Sequence, residues 1–173
     1  MAEAEKSVIK NRAIVADTWT LLTLADGESA ETVAIPAGDV IVPLAVWQTR
    51  KAALTGGSQR VGVWLAPAEG PEALADDLPS LPLVAVQFPK FTDGRGYSTA
   101  RLLRERFGYT GELRAIGDVL IDQLFFMARC GFDAFALRAD KSLASALANF
   151  ETFPDAYQAA IDRKEPLFRR RAA

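Results

Sequence analysis

The sequence predicts an α/β protein built on a mainly parallel sheet, with about four strand–helix repeats behind a β-rich N-terminal segment. Three observations carry this expectation. From residue 61 onward, short apolar runs alternate with helix-length segments, the pattern of parallel βαβ units joined by right-handed crossovers. Glycine or proline punctuates most boundaries between them. Residues 1–42 instead carry short β-like runs with turn residues between them.

Taken in order, Ala13-Ile14-Val15, Trp19-Thr20-Leu21-Leu22 and Thr32-Val33-Ala34-Ile35 read as strands, with Asp26-Gly27 as a turn signal. Pro43 opens an expected helix through Leu54, stopped by Gly56-Gly57, since proline at the first helical position and glycine past the last is the usual asymmetry. Leu44, Trp47, Lys51 and Leu54 keep helical spacing, with Lys51 the polar exception. Strands are expected at 61–65, 83–88, 113–116 and 133–137. The segments behind them read as a short helix over 71–78, helices 98–107 and 119–129 closed by Gly108 and Gly131, and a helix over 142–150. A further helix is expected over 155–161, and a tail over 164–173 whose basic end frays. The chain reads as a single domain over 1–173: an N-terminal β segment (1–42), the βα repeats (43–163) and the tail. Such repeats form either an open sheet or part of a β/α barrel, and the spacing fits both.

Composition narrows the chemistry. The chain has 173 residues, enough for one domain with a real core and short for two. A net charge of −2 gives no basic footprint, so no nucleic-acid partner is expected. The apolar stretch 119–128 contains Asp122 and Gln123 and is too short to span a bilayer. The polar, charged start lacks the apolar region of a signal peptide, so a cytoplasmic protein with no membrane partner is the expectation. There is no histidine, which removes imidazole catalysis, His-activated nucleophiles and the usual zinc sites. The single cysteine, Cys130, excludes an internal disulfide, a redox pair and a cluster-binding thiolate set. No cofactor of its own is expected. What remains is carboxylate, Lys, Arg, Tyr and backbone-amide chemistry, or a partner's cofactor.

In parallel α/β sheets, ligands sit outside the carboxyl ends of the strands. The residues that follow the expected strands are therefore the candidates: Lys90, Asp93, Arg95 and Tyr97 after 83–88, Asp118 and Asp122 after 113–116, and Arg138 and Lys141 after 133–137. Gly94 and Gly96 permit positive φ and close backbone approach just ahead of a helix N-terminus, where free amides and the helix dipole favour an anion. Lys90 and Arg95 add charge there, and arginine suits bidentate contact with phosphate, sulfate or carboxylate. The expected partner is thus a small anion or a phosphate-bearing metabolite, held by Lys90, Asp93, Gly94, Arg95, Gly96, Tyr97 and Asp118. The plainer alternative has Asp93 capping the helix, the glycines shaping a turn and Arg95 solvated.

Other features read more plainly. Arg101 faces Glu105 one turn away, as a surface pair would. Asp118 is placed to cap the next helix, with a catalytic pair Asp118–Asp122 as the alternative. The aromatic residues of that helix read as core. Cys130 stands at a helix C-terminus, where the dipole raises a thiol pKa, and reads as buried and inert. Gly94-Arg95-Gly96-Tyr97-Ser98-Thr99 is an imperfect dinucleotide fingerprint: Thr99 replaces the third glycine, and five residues separate the strand from the first.

The run from Phe88 through Ser98 (Phe-Pro-Lys-Phe-Thr-Asp-Gly-Arg-Gly-Tyr-Ser), continued by residues 100–106, 111–118, 122–126 and 129–135, resembles a bacterial family of unknown function. Its members are described as oxidoreductases of sulfite reduction and tend to be encoded beside assimilatory sulfite reductase. Residues 43–47 and 61–67 are similar to the same pattern. The resemblance covers most of the chain. It implies a place in sulfite reduction, with components of sulfite reductase as partners, and supplies no catalytic residues. The resulting expectation is an accessory protein of that pathway that binds a small anion. An enzyme using lysine or carboxylate chemistry on the same rim, or a docking module for the reductase, are the alternatives.

Overall fold

The computed structural model describes residues 6–171. Its strands are β1 (Ser7–Lys10), β2 (Ala13–Ala16), β3 (Thr20–Leu21), β4 (Val40–Pro43), β5 (Val61–Leu65), β6 (Leu83–Phe88), β7 (Glu112–Gly117) and β8 (Ala134–Phe135). The α-helices are α1 (Leu44–Thr55), α2 (Arg95–Glu105), α3 (Leu124–Arg129), α4 (Leu143–Ala146) and α5 (Leu167–Arg170), with 3-10 turns at Pro71–Leu74, Ile121–Gln123 and Leu147–Glu151. No helix among the described residues is long and apolar enough to cross a membrane.

One mixed sheet holds all eight strands in the order β2-β1-β8-β7-β6-β5-β4-β3. From β3 to β8 each strand is parallel to the next, whereas β1 is antiparallel to both β8 and β2. The sheet is thus mixed, because a tight hairpin can only join antiparallel strands.

The sheet must also curl. Strands β2 and β3 lie at opposite edges, yet only Asp17, Thr18 and Trp19 connect them. Laid flat, eight strands at roughly 4.8 Å spacing would put those edges about 34 Å apart. The connection can span only about 14 Å. An open but strongly curved sheet follows from that mismatch.

The two faces differ accordingly. Val42, Val63, Leu65, Val84, Val86, Leu113, Ala115 and Phe135 pack with Trp47, Leu103, Leu124 and Met127 of the helices in the main core. On the other face Trp19 packs with Ile41, Leu83, Ala85 and Ile116 in a smaller cluster. Beside it lies a buried charge network. Arg114 Nη1 meets Asp17 at 2.8 Å and Arg114 Nη2 meets Glu112 at 2.6 Å, with side chains 4%, 1% and 7% exposed. Lys10 adds a contact to Glu112 at 2.7 Å, and the Trp19 N–H donates to Asp17 at 3.2 Å. The connecting segment is fixed across the sheet by the same carboxylate that its own backbone orients.

Several expectations need correction. The first strand and its turn, Asn11-Arg12, were not expected, nor was β4, a continuous apolar run buried on both faces as internal parallel strands are. Pro43 ends β4 and caps α1 rather than opening the helix. No strand forms over 32–35, where Arg50 Nη1 donates to the Val33 carbonyl at 2.6 Å. No helix forms over 155–161, because Ile161 N–H donates to Arg129 O (3.1 Å) and Ala160 N–H to Arg163 O (2.8 Å). Of the basic tail, Leu167–Arg170 is helical and Arg170 pairs with Asp155 at 2.9 Å, while Ala172 and Ala173 lie outside the described residues. Strands β5 and β6 match their expected bounds, and Gly108 and Gly131 follow α2 and α3 as stops.

Removing one member of the charge network tests its weight. Arg114→Met would leave Asp17 and Glu112 buried without their main partner, at a cost of about 3–5 kcal/mol. Urea unfolding should show the midpoint fall accordingly, and a change below about 1 kcal/mol would refute the role given to this pair.

Candidate functional site

The carboxyl ends of β6, β7 and β8 are adjacent, since these strands are neighbours in the parallel part of the sheet. Their following loops therefore form one rim, as the sequence predicts. Two features fix it. Gly117 ends β7 at φ 95°, and a Cβ there would stand 2.3 Å from the Phe88 carbonyl oxygen, so only glycine fits. The next amide, Asp118 N–H, donates to that same oxygen at 2.7 Å.

Asp118 then ties the three loops together. Its carboxylate accepts from the Phe91 N–H at 2.9 Å and from Arg138 Nη1 at 2.9 Å. It does not cap the following helix. That turn is closed by Gln123, whose Oε1 accepts from Leu120 N–H (3.2 Å) while its Nε2 donates to the Phe91 carbonyl (3.2 Å). Gln123 was missed by sequence reasoning; an amide within an apolar helix was the available signal. Asp122 is exposed and makes no ion pair among the described residues, so it does not share Asp118's partners.

The cations of the rim are mostly paired. Arg95 grips Asp93 through Nε (3.0 Å) and Nη2 (2.7 Å), and its backbone N–H donates to the same carboxylate at 3.2 Å. Asp93 thus caps the start of α2 and fills the place near the helix N-terminus where an anion was expected. The Arg95 guanidinium holds the Asp93 carboxyl below the usual range. Arg138 grips Asp140 (2.6 and 3.0 Å) as well as Asp118, and Lys141 approaches Asp140 at 3.0 Å. Arg138, then Lys141, push the Asp140 carboxyl far down. Lys90 is exposed and has no carboxylate partner among the described residues.

The glycines do something other than expected. Gly94 precedes α2 at φ −84°, and Gly96 lies inside its first turn, so neither uses a positive φ. Gly96 is buried against Phe88, and a Cβ on it would come within 2.6 Å of the Phe88 ring. Its smallness lets the helix start close over the sheet. Tyr97 is half-buried between Phe88 (ring centroids 5.3 Å) and Phe126 (5.2 Å), and burial pushes its phenol up.

Phe91 in the loop after β6 is 57% exposed, and Phe126 of α3 is 55% exposed, so it is not part of the core as expected. Arg101 pairs with Glu105 (2.8 Å) as its spacing suggests. Arg104 is instead a partly buried hub, donating to the carbonyls of Tyr109, Gly111 and Gly131 and to Asp133. Burial pushes the Cys130 thiol up, in line with an inert cysteine. No cluster of three or more acidic or thiol side chains suited to a metal forms among the described residues.

Gly96→Ala separates packing from ligand binding at this loop. The added methyl meets a fully buried ring, so stability should drop by about 1–3 kcal/mol. An unchanged thermal midpoint would show that the contact with Phe88 is not what the glycine serves.

No curated protein matches the chain. A family model described as bacterial protein of unknown function (DUF934) matches residues 62–168, the span that carries all but the first residue of β5, β6 to β8, α2, α3 and the whole rim. The chain belongs to that family of bacterial proteins.

Proposed function

We propose that this protein is an accessory factor of assimilatory sulfite reduction that binds a small oxyanion, such as sulfite, sulfate or the phosphate of a metabolite, at the rim after β6, β7 and β8. The observation that carries the binding reading is the pairing state of the cations. Lys90 makes no ion pair among the described residues, and Arg95, five residues on, pairs with Asp93, the two side chains being 61% and 15% exposed. The guanidinium side of the pair faces solvent, so an incoming dianion can reach the Arg95 fork, where it competes with the bidentate Asp93 carboxylate. A planar guanidinium offers two parallel N–H groups to two anion oxygens, and Lys90 adds a point charge. Asp118 and Gln123 hold Phe91, and with it Lys90, in place before any ligand arrives. The pathway rests on the resemblance, which ties the family to sulfite reductase.

Titration calorimetry with sulfite, sulfate and phosphate tests the binding. Lys90→Met and Arg95→Ala should each weaken the best ligand at least about tenfold, and Arg101→Ala should leave it alone. Affinity should fall as salt rises, since the site is exposed. Absence of binding to the wild type, or binding unaltered in Arg95→Ala, ends the reading. A deletion strain that grows on sulfide but not on sulfite would support the pathway, and growth on every sulfur source would not.

The exposed rings of Phe91 and Phe126 favour a second reading, a docking surface for the reductase on the same rim. It predicts that purified reductase retains the protein on a column and releases the double variant Phe91→Ser, Phe126→Ser. Equal retention of both would dismiss it.

A further inference from the structure

Away from the rim, a cleft opens between the β1–β2 turn, α3 and the segment after α4. It encloses about 480 Å³, lined by Arg12, Phe125, Phe150, Glu151, Phe153 and Arg163 among others. A smaller cavity of about 190 Å³ shares Arg12, Phe125, Phe150 and Asp162 and reaches inward to Phe132 and Phe135. The Asn11 N–H donates to the Asp133 carbonyl at 2.8 Å, which sets the turn by the amino end of β8, whereas the rim lies at the carboxyl ends. The two sites are therefore distinct. The volume is in the range that small organic ligands occupy, and the lining mixes three phenylalanines with four charged side chains, Arg12, Glu151, Asp162 and Arg163.

Arg12 gives the cleft its chemistry. It is the second residue of a two-residue hairpin turn, with φ 49° at Asn11 and 63° at Arg12. Turns of this form favour Asn followed by Gly, because both central residues need positive φ. Asparagine is present; glycine is not. An arginine here strains the backbone, and its guanidinium carbon stands 5.8 Å from the centre of the Phe150 ring, over the cleft. Arg12 makes no ion pair among the described residues. Of the other charges that line the cleft, Arg163 pairs with Asp155 (2.9 Å) and Asp162 with Arg129 (3.4 Å), while Glu151 makes no ion pair among the described residues. Phe153 is 59% exposed yet stacks edge-on against Phe125 at 5.4 Å, which leaves one ring surface for a guest.

We propose that this cleft binds a small planar organic anion, a flat ring with one carboxylate or sulfonate, with the ring against Phe125 and Phe153 and the acid group on Arg12. Aromatic surfaces supply the apolar contact and orient the ring edge-on or offset, and the guanidinium selects for charge.

The probes are 2-naphthoate and its neutral counterpart 2-naphthamide, titrated into the full chain by calorimetry. Naphthoate should bind at least about tenfold more tightly than the amide. Arg12→Gly should raise the melting temperature, since glycine relieves the turn, while bringing naphthoate down to the affinity of the amide. Phe153→Ser should weaken both probes, and Glu151→Gln should tighten naphthoate or leave it unchanged. Failure of naphthoate to bind, equal affinity for the two probes, or full naphthoate affinity in Arg12→Gly would each overturn the proposal. Because Arg12→Gly is expected to be more stable than the parent, its lost affinity cannot be attributed to unfolding.

Discussion

A three-residue connection between the two edges of an eight-stranded sheet forces the curvature, and the Arg114–Asp17 contact holds that connection down. The rest of the molecule follows from this closure. With Trp19 and the Arg114 network covering the inner face toward the amino ends of the parallel strands, the carboxyl ends remain as the open side, where loops can vary without breaking the core. Burying this network has a desolvation cost that an apolar set of similar volume would avoid. What the charges contribute in return is a unique register: Asp17 accepts from both Arg114 and the Trp19 amide, so the crossing segment cannot slide.

At the open side, the rim is ordered by its own hydrogen bonds. Asp118 takes an amide from one loop and a guanidinium from another, and Gln123 holds the same first loop by its carbonyl. These paired groups keep the three loops in a fixed relation. Lys90 is the exception, bringing charge that no described carboxylate neutralises.

How far the sequence discloses this depends on the range of the interactions involved. Strands β5 and β6 and the stops Gly108 and Gly131 were legible, because apolar runs and glycine breaks are local signals. The rim was legible too, since parallel strand order alone brings the loops after β6, β7 and β8 together. The hairpin β1–β2 was not: its turn uses Arg12 where glycine is the usual signal, and β1 draws its order from a distant antiparallel partner, β8. The segment 155–161 has helical residues but spends its backbone hydrogen bonds on Arg129 and Arg163. Tertiary partners overrode local preference there. The exposure of Phe126 was also hidden, because helical periodicity cannot show which apolar side of α3 lacks a neighbour.

The motif Gly94-Arg95-Gly96-Tyr97 shows why its glycines suggested an anion cradle. Read as a string, two glycines beside an arginine suggest backbone amides opened toward a ligand. In the fold the four residues divide by direction. Gly96 and Tyr97 turn inward, one small enough to let the Phe88 ring against the helix backbone and the other set edge-on to that ring. Arg95 turns outward to Asp93, and Gly94 precedes the helix in ordinary right-handed conformation. The inward pair sets how close the helix N-terminus comes to the strand end, which in turn fixes where Arg95 can reach. What this loop presents to solvent is therefore side-chain charge, Lys90 and Arg95, rather than glycine-opened backbone. The oxyanion site proposed above thus relies on charge and on two oxygens in a plane, not on enclosing its ligand.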